Sequence, residues 1–75
     1  MIGVLLRITE KLEYLSPSER KIANYILENP EEVVGLSITE LADRVGISKA
    51  GIMRFCKSID FNGYREFALK YASEI

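Results

Sequence analysis

The sequence predicts an all-α fold, a compact bundle of five helices that contains a helix-turn-helix and no wing. Three observations carry that expectation. The first is the stretch Ile38–Lys57, where Ala42 and Gly46 stand four apart and Ile52 follows six after the glycine, with Leu41, Val45, Ile47 and Phe55 at the apolar positions between. A small residue at Ala42 lets two helices cross closely, Gly46 can take the positive φ of a sharp corner, and Ile52 seats the second helix. The second observation is a pair of Ser-x-x-Glu helix starts, Ser16 to Glu19 and Ser37 to Glu40. The third is that no alternating, β-branched segment follows the fourth helix, so a β-hairpin wing is not expected.

Each element has its own reason. Leu5, Ile8, Leu12 and Leu15 recur at helical spacing with Arg7, Glu10, Lys11 and Glu13 on the other side, which predicts an amphipathic first helix over residues 2–14. Met1, Ile2, Val4 and Leu6 exceed what one core-facing stripe needs; they either extend the core or pack against a partner chain or a further domain. Ser16-Pro17-Ser18-Glu19 opens a second helix, with proline at its first position and Ile22, Ala23, Ile26 and Leu27 as its inner stripe. Glu28-Asn29-Pro30 ends it, because the residue before proline avoids the α region. A single turn can restart at Pro30, and Gly35 breaks it before Ser37 caps the third helix, Ile38 to Val45. Ser48 caps the fourth helix, residues 48–58, although Gly51 stands where a capping-box Glu would close the box. At 100° per residue, Ile52, Phe55, Cys56 and Ile59 share its inner face; Ala50, Arg54 and Lys57 lie nearly opposite, flanked by Gly51, Met53 and Ser58. After Asp60-Phe61-Asn62-Gly63 a fifth helix places Tyr64, Phe67, Ala68 and Tyr71 on one core stripe.

The net charge of −1 is weak for a nucleic-acid binder, but its distribution is not even. Residues 1–47 hold five Lys/Arg against eight Asp/Glu, whereas residues 48–70 hold Lys49, Arg54, Lys57, Arg65 and Lys70 against Asp60 and Glu66. The positive part contains the second helix of the helix-turn-helix, as a footprint on phosphate requires.

Seventy-five residues, 48% hydrophobic and 28% charged, fit one globular domain spanning 1–75. No apolar run approaches the ~20 residues of a membrane span. MIGVLL lacks a basic leader and a cleavage site and runs into RITEKLE, so a secretory signal is not expected and the protein is expected in the cytoplasm. One cysteine and no histidine support neither an internal disulfide nor a zinc site, and Cys56 reads as a buried small hydrophobe. No nucleophile has a nearby base and no glycine loop cradles a phosphate, so neither an enzyme nor a cofactor is expected.

At this point LSPSERKIANYILENP, SITELADRVGISKAGIMRF and FNGYREF, taken together, cover nearly every residue of a recognisable pattern. The chain resembles the N-terminal domain of RpiR-type bacterial transcriptional regulators. The resemblance implies an operator-binding domain of a repressor or activator of sugar catabolism, followed by a C-terminal sugar-isomerase-like domain that binds a phosphosugar and supports a homodimer or higher oligomer. That second domain is absent from these 75 residues. By the same resemblance Ser48, Lys49, Ala50, Gly51, Met53, Arg54 and Lys57 fall where family members approach double-stranded DNA. Two positions depart from the pattern: Gly51 replaces a frequent Ser or Thr, and Asp60 replaces a glycine between the hydrophobic pair after the reader helix.

Two readings therefore stand side by side. In one, the fourth helix reads a major groove to regulate transcription. In the other, the chain is a helical protein–protein interaction or dimerisation module with a vestigial reader. Weak overall charge and Gly51 favour the second, and the outward Arg54/Lys57 face favours the first.

Overall fold

Ser16 and Ser37 each close a complete capping box, and these two starts set the frame of the domain. The Ser16 hydroxyl accepts from the Glu19 amide at 3.2 Å while the Glu19 carboxylate accepts from the Ser16 amide at 3.0 Å. Ser37 and Glu40 repeat the exchange at 3.1 and 2.9 Å. Such reciprocal bonds satisfy amide donors that a helix start otherwise leaves open. The structure, a computed structural model, describes residues 3–75. Its helices are α1 (Val4–Lys11), α2 (Pro17–Glu28), α3 (Pro30–Val33), α4 (Ile38–Val45), α5 (Lys49–Ser58) and α6 (Tyr64–Glu74), and no strand occurs among the described residues. The expected restart at Pro30 is thus a helix of its own, a four-residue turn between the longer elements.

The first helix is shorter than the expected span of 2–14. It ends at Lys11 and tightens into a 3₁₀ turn over Leu12–Tyr14, closed by the Leu15 amide donating to Leu12 O at 3.3 Å. The tightening has a cause in the next element. Leu15 must turn into the core, where it is buried, and Ser16 must be extended to cap α2. The surplus apolar residues divide. Val4 is a core residue, Leu6 is 53% exposed, and Met1 and Ile2 lie outside the described residues. Val4 turns inward because the start of α1 packs on α6, and the Val4 amide donates to Glu74 Oε1 at 2.6 Å.

The core joins Ile8 of α1, Ile22, Ala23 and Ile26 of α2, Leu41 and Val45 of α4, and Ile52, Phe55, Cys56 and Ile59 around α5. Helix α5 packs on both α2 and α4 and so occupies the middle of the domain. Helix α6 closes the remaining side with Phe67 and Tyr71, whose hydroxyl donates to Pro30 O at 2.6 Å. Tyr64 does the same to Leu36 O at 2.6 Å, so two tyrosines tie α6 to the segment before α4. Burial pushes both phenols up to about 12, which keeps them protonated donors at neutral pH.

Candidate nucleic-acid interface

A helix-turn-helix depends on its corner. Gly46 has φ +80°, and its amide and that of Ile47 both donate to Ala42 O, at 2.8 and 3.0 Å. Ala42, small and buried, is the point at which the turn closes. A β-branched side chain at Gly46 would be held in a region that L residues rarely adopt, so Gly46→Val is expected to cost on the order of 1–3 kcal/mol. A melting temperature equal to the parent's would mean that the corner tolerates the residue and that its geometry does not depend on glycine.

The chain leaves the corner through Ser48, whose Oγ accepts from the Gly51 amide at 3.1 Å and so caps α5. The helix ends in a second left-handed residue. Asp60 has φ +69°, its amide donates to Lys57 O at 3.0 Å, and the Phe61 amide donates to Cys56 O at 2.9 Å. That pair of bonds is a Schellman motif with aspartate in the place usually held by glycine. Arg7 supports this end from α1: its guanidinium donates to Ile59 O at 3.1 Å and lies 4.7 Å above the Phe61 ring. Lys11 pairs with the Asp60 carboxylate at 3.1 Å.

Between these ends, Ser48, Lys49, Ala50, Met53, Arg54 and Lys57 are exposed on one helix and available to an outside partner. Gly51 does not join them. It is buried, its amide is spent on Ser48, and a Cβ placed there would overlap Ile47 Cγ2. The residue that replaces the frequent Ser or Thr is therefore a packing glycine under Ile47. Cys56 is fully buried and its thiol is pushed up to about 12 by burial, so it packs as a hydrophobe. Met53 lies outward but leans toward α6, with its Cε near Gly63.

The cations sort into two groups. Arg7 and Lys11 hold the end of α5, Arg20 donates to Leu15 O, Arg44 pairs with Glu32 at 3.7 Å, and Lys70 pairs with Glu74 at 3.6 Å. Among the described residues, Lys49, Arg54, Lys57, Lys21 and Arg65 have no hydrogen bond or ion pair. Three of these are on α5. Lys21, on α2, brings its Nζ to the corner beside Gly46, and Arg65 shares an apolar groove with Met53 at the start of α6. Sequence reasoning did not single out Lys21 or Arg65 as contacts. Arg65 counts in the positive part of the sequence, but neither residue has a signal of its own beyond the absence of an acid at helical pairing distance, which is too weak to stand alone.

The comparisons with known proteins agree with this architecture. Residues 2–75 match the helix-turn-helix domain of the rpiR family. The chain is 47% identical over 72 residues to an uncharacterised HTH-type transcriptional regulator of Caldanaerobacter subterraneus, covering 96% of this chain and 26% of that protein. It is 36% identical over 74 residues to the HTH-type transcriptional regulator HexR of Escherichia coli, covering 99% of this chain and 26% of HexR. Among solved structures, Vibrio vulnificus NanR complexed with ManNAc-6P superposes with a TM-score of 0.91 at 33% identity, over 96% of this chain and 28% of that one. The N-terminal domain of YbbH from Bacillus subtilis superposes with a TM-score of 0.86 at 32% identity, over 96% and 88%. The chain thus spans about a quarter of the length of the curated relatives it matches. With its corner, its capped second helix and these matches together, the chain belongs to the rpiR family of helix-turn-helix domains, the DNA-binding part of HTH-type transcriptional regulators.

Proposed function

We propose that α5 enters the major groove and that the chain serves as the operator-reading domain of a regulator of sugar or phosphosugar metabolism. The supporting observation is the sorting of the cations. A side chain held by an internal hydrogen bond or ion pair must break it before it meets DNA, and the three on α5 have no such bond to break. Arg54, exposed at mid-helix, is the base reader, because a guanidinium can donate two parallel bonds to a guanine edge. Met53 and Ala50 offer apolar contact to a thymine methyl. Lys49 and Lys57 meet phosphate, with Lys21 and Arg65 flanking them, and Ser48 stands at the helix start where a phosphate approaches. On this reading no wing supplements the helix, as no strand occurs among the described residues. Effector binding belongs to a segment outside this chain: NanR, solved with ManNAc-6P, is more than three times as long as the matched domain, and a phosphosugar is the effector class that it supports. Pairing into a homodimer follows the same logic, since one helix covers only a half-site.

Two substitutions separate these roles. Arg54→Ala is expected to weaken binding by about 1–3 kcal/mol and to relax preference at one base pair. Lys57→Ala is expected to weaken binding about uniformly across sequences and to lower the salt slope by about 1. Titration of duplex DNA at two salt concentrations reads both effects. Unchanged affinity in both variants, with helicity intact by circular dichroism, would discard this docking face.

A further inference from the structure

Arg54 lacks a hydrogen-bonded partner, yet it is not electrostatically alone. Helix α2 packs along α5, and its third residue, Glu19, reaches across to the reader helix. One carboxylate oxygen, Oε1, accepts from the Ser16 amide at 3.0 Å, and the other, Oε2, accepts from the Ser58 hydroxyl. Ser58 lies four residues after Arg54, one turn further along the same side of α5. Glu19 is thus fixed at both oxygens, half-buried, and set against the turn that carries Arg54. Burial pushes its carboxyl up, but the bonds from Ser58 and Ser16 and the positive charge of Arg54 outweigh it and hold the group below its ordinary value. The carboxylate is therefore ionised throughout the neutral range.

A capping box needs only one oxygen and no contact with a second helix. The bond to Ser58 is additional, and it fixes a negative charge one turn from the base reader, beside the surface proposed to meet polyanionic DNA. Such a charge costs affinity for any phosphate, so its effect has to be sought in discrimination. We propose that Glu19 is a positioning residue for Arg54: its carboxylate, fixed one turn away along α5, biases the guanidinium toward the groove-facing side and so sharpens base preference while lowering non-specific affinity. The proposal rests on the reading of α5 as the recognition helix. A guanidinium biased in this way meets a guanine edge with less ordering left to do, and it is drawn back from a phosphate that offers no compensating geometry.

The test uses Glu19→Gln in this chain. The glutamine oxygen can still accept from the Ser16 amide, and its NH₂ can donate to the Ser58 oxygen, so the packing is retained while the charge is removed. The probe is a pool of randomised duplexes of about two helical turns at about 50 mM salt, sequenced before and after binding. The expected result is tighter binding to unselected duplex and at least about a threefold loss of discrimination at the base pair that Arg54→Ala also relaxes, within the range one bidentate pair supplies. In the Arg54→Ala background Glu19→Gln should lose no further discrimination. Should Glu19→Gln fail to fold, Ser58→Ala decides, because it releases the carboxylate from α5 and leaves the capping box untouched; it is expected to relax the same base pair. Arg54-dependent preference that survives Glu19→Gln, or survives Ser58→Ala where that variant decides, would overturn the proposal alone. A parent chain with no base preference, and no response to Arg54→Ala, would overturn the reading of α5 and this proposal with it.

Discussion

Phe67→Ala is expected to abolish the stable fold near body temperature. Phe67 is 1% exposed and touches four other rings: Phe55 at 6.3 Å and Phe61 at 5.8 Å edge-on, Tyr64 at 5.7 Å tilted, and Tyr71 at 5.5 Å stacked. Truncating a buried phenylalanine costs about 3–5 kcal/mol through lost burial and the remaining cavity. The aromatic pairs contribute beyond that, about 0.5–1.5 kcal/mol for each well-placed pair. At ~0.05–0.15 kcal/mol per residue, a domain of this size has only roughly 4–11 kcal/mol in total. A thermal scan followed by circular dichroism should show the midpoint fall by at least about 15 °C, since each kcal/mol shifts a small domain by about 4–8 °C. A shift of only a few degrees would show that α6 collapses onto the vacated space and that the ring cluster is not what holds α6 in place.

The second large effect concerns copy number. A single α5 with its three basic residues, Lys49, Arg54 and Lys57, gains little at physiological salt, where non-specific binding by such proteins lies at ~10⁻⁴–10⁻⁶ M. Joining two copies of the chain through a flexible linker makes the second engagement intramolecular, and avidity for a duplex with two half-sites about one turn apart should rise by ~10²–10⁴. Sedimentation and titration of the single 75-residue chain provide the control. A strict monomer that holds one half-site at ~nanomolar Kd in about 150 mM salt would refute the need for a second copy. Of the described surplus apolar residues of the first helix, Val4 is spent in the core and Leu6 is exposed, so Val4 adds nothing to a pairing surface.

What was legible in the sequence was legible for local reasons. Both capping boxes follow from a serine and a glutamate three apart, and the corner follows from one glycine at a fixed distance from Ala42. The extent of α4 and the start of α5 came with them. The features that escaped depend on residues far apart along the chain or on side-chain volume. A helical wheel places Gly51 on the flank of α5, whereas Ile47, from the turn before, folds over it and buries it. Lys21 reaches the corner because α2 packs beside it. Glu19 was readable as a cap, but its bond to Ser58 spans 39 residues and no spacing rule reaches that far. The early end of α1 likewise reflects Leu15 turning inward, a demand made by the next helix and not by α1 itself.

The bond from the Val4 amide to the Glu74 carboxylate brings the first turn of α1 against the last turn of α6, 70 residues away. The fold is in this sense a ring that covalent chemistry leaves open. A few glycine and serine residues would bridge the two ends, and the chain could then be cut elsewhere, with exposed Gly35 offering open space around its Cα. Such a permutant would begin with α4 and α5, so the corner and reader would come off the ribosome first and α1 to α3 would follow. Retention of the native helical signal and of DNA binding would show that connectivity is incidental and that the packing of α2, α4 and α6 around α5 is sufficient to define the domain.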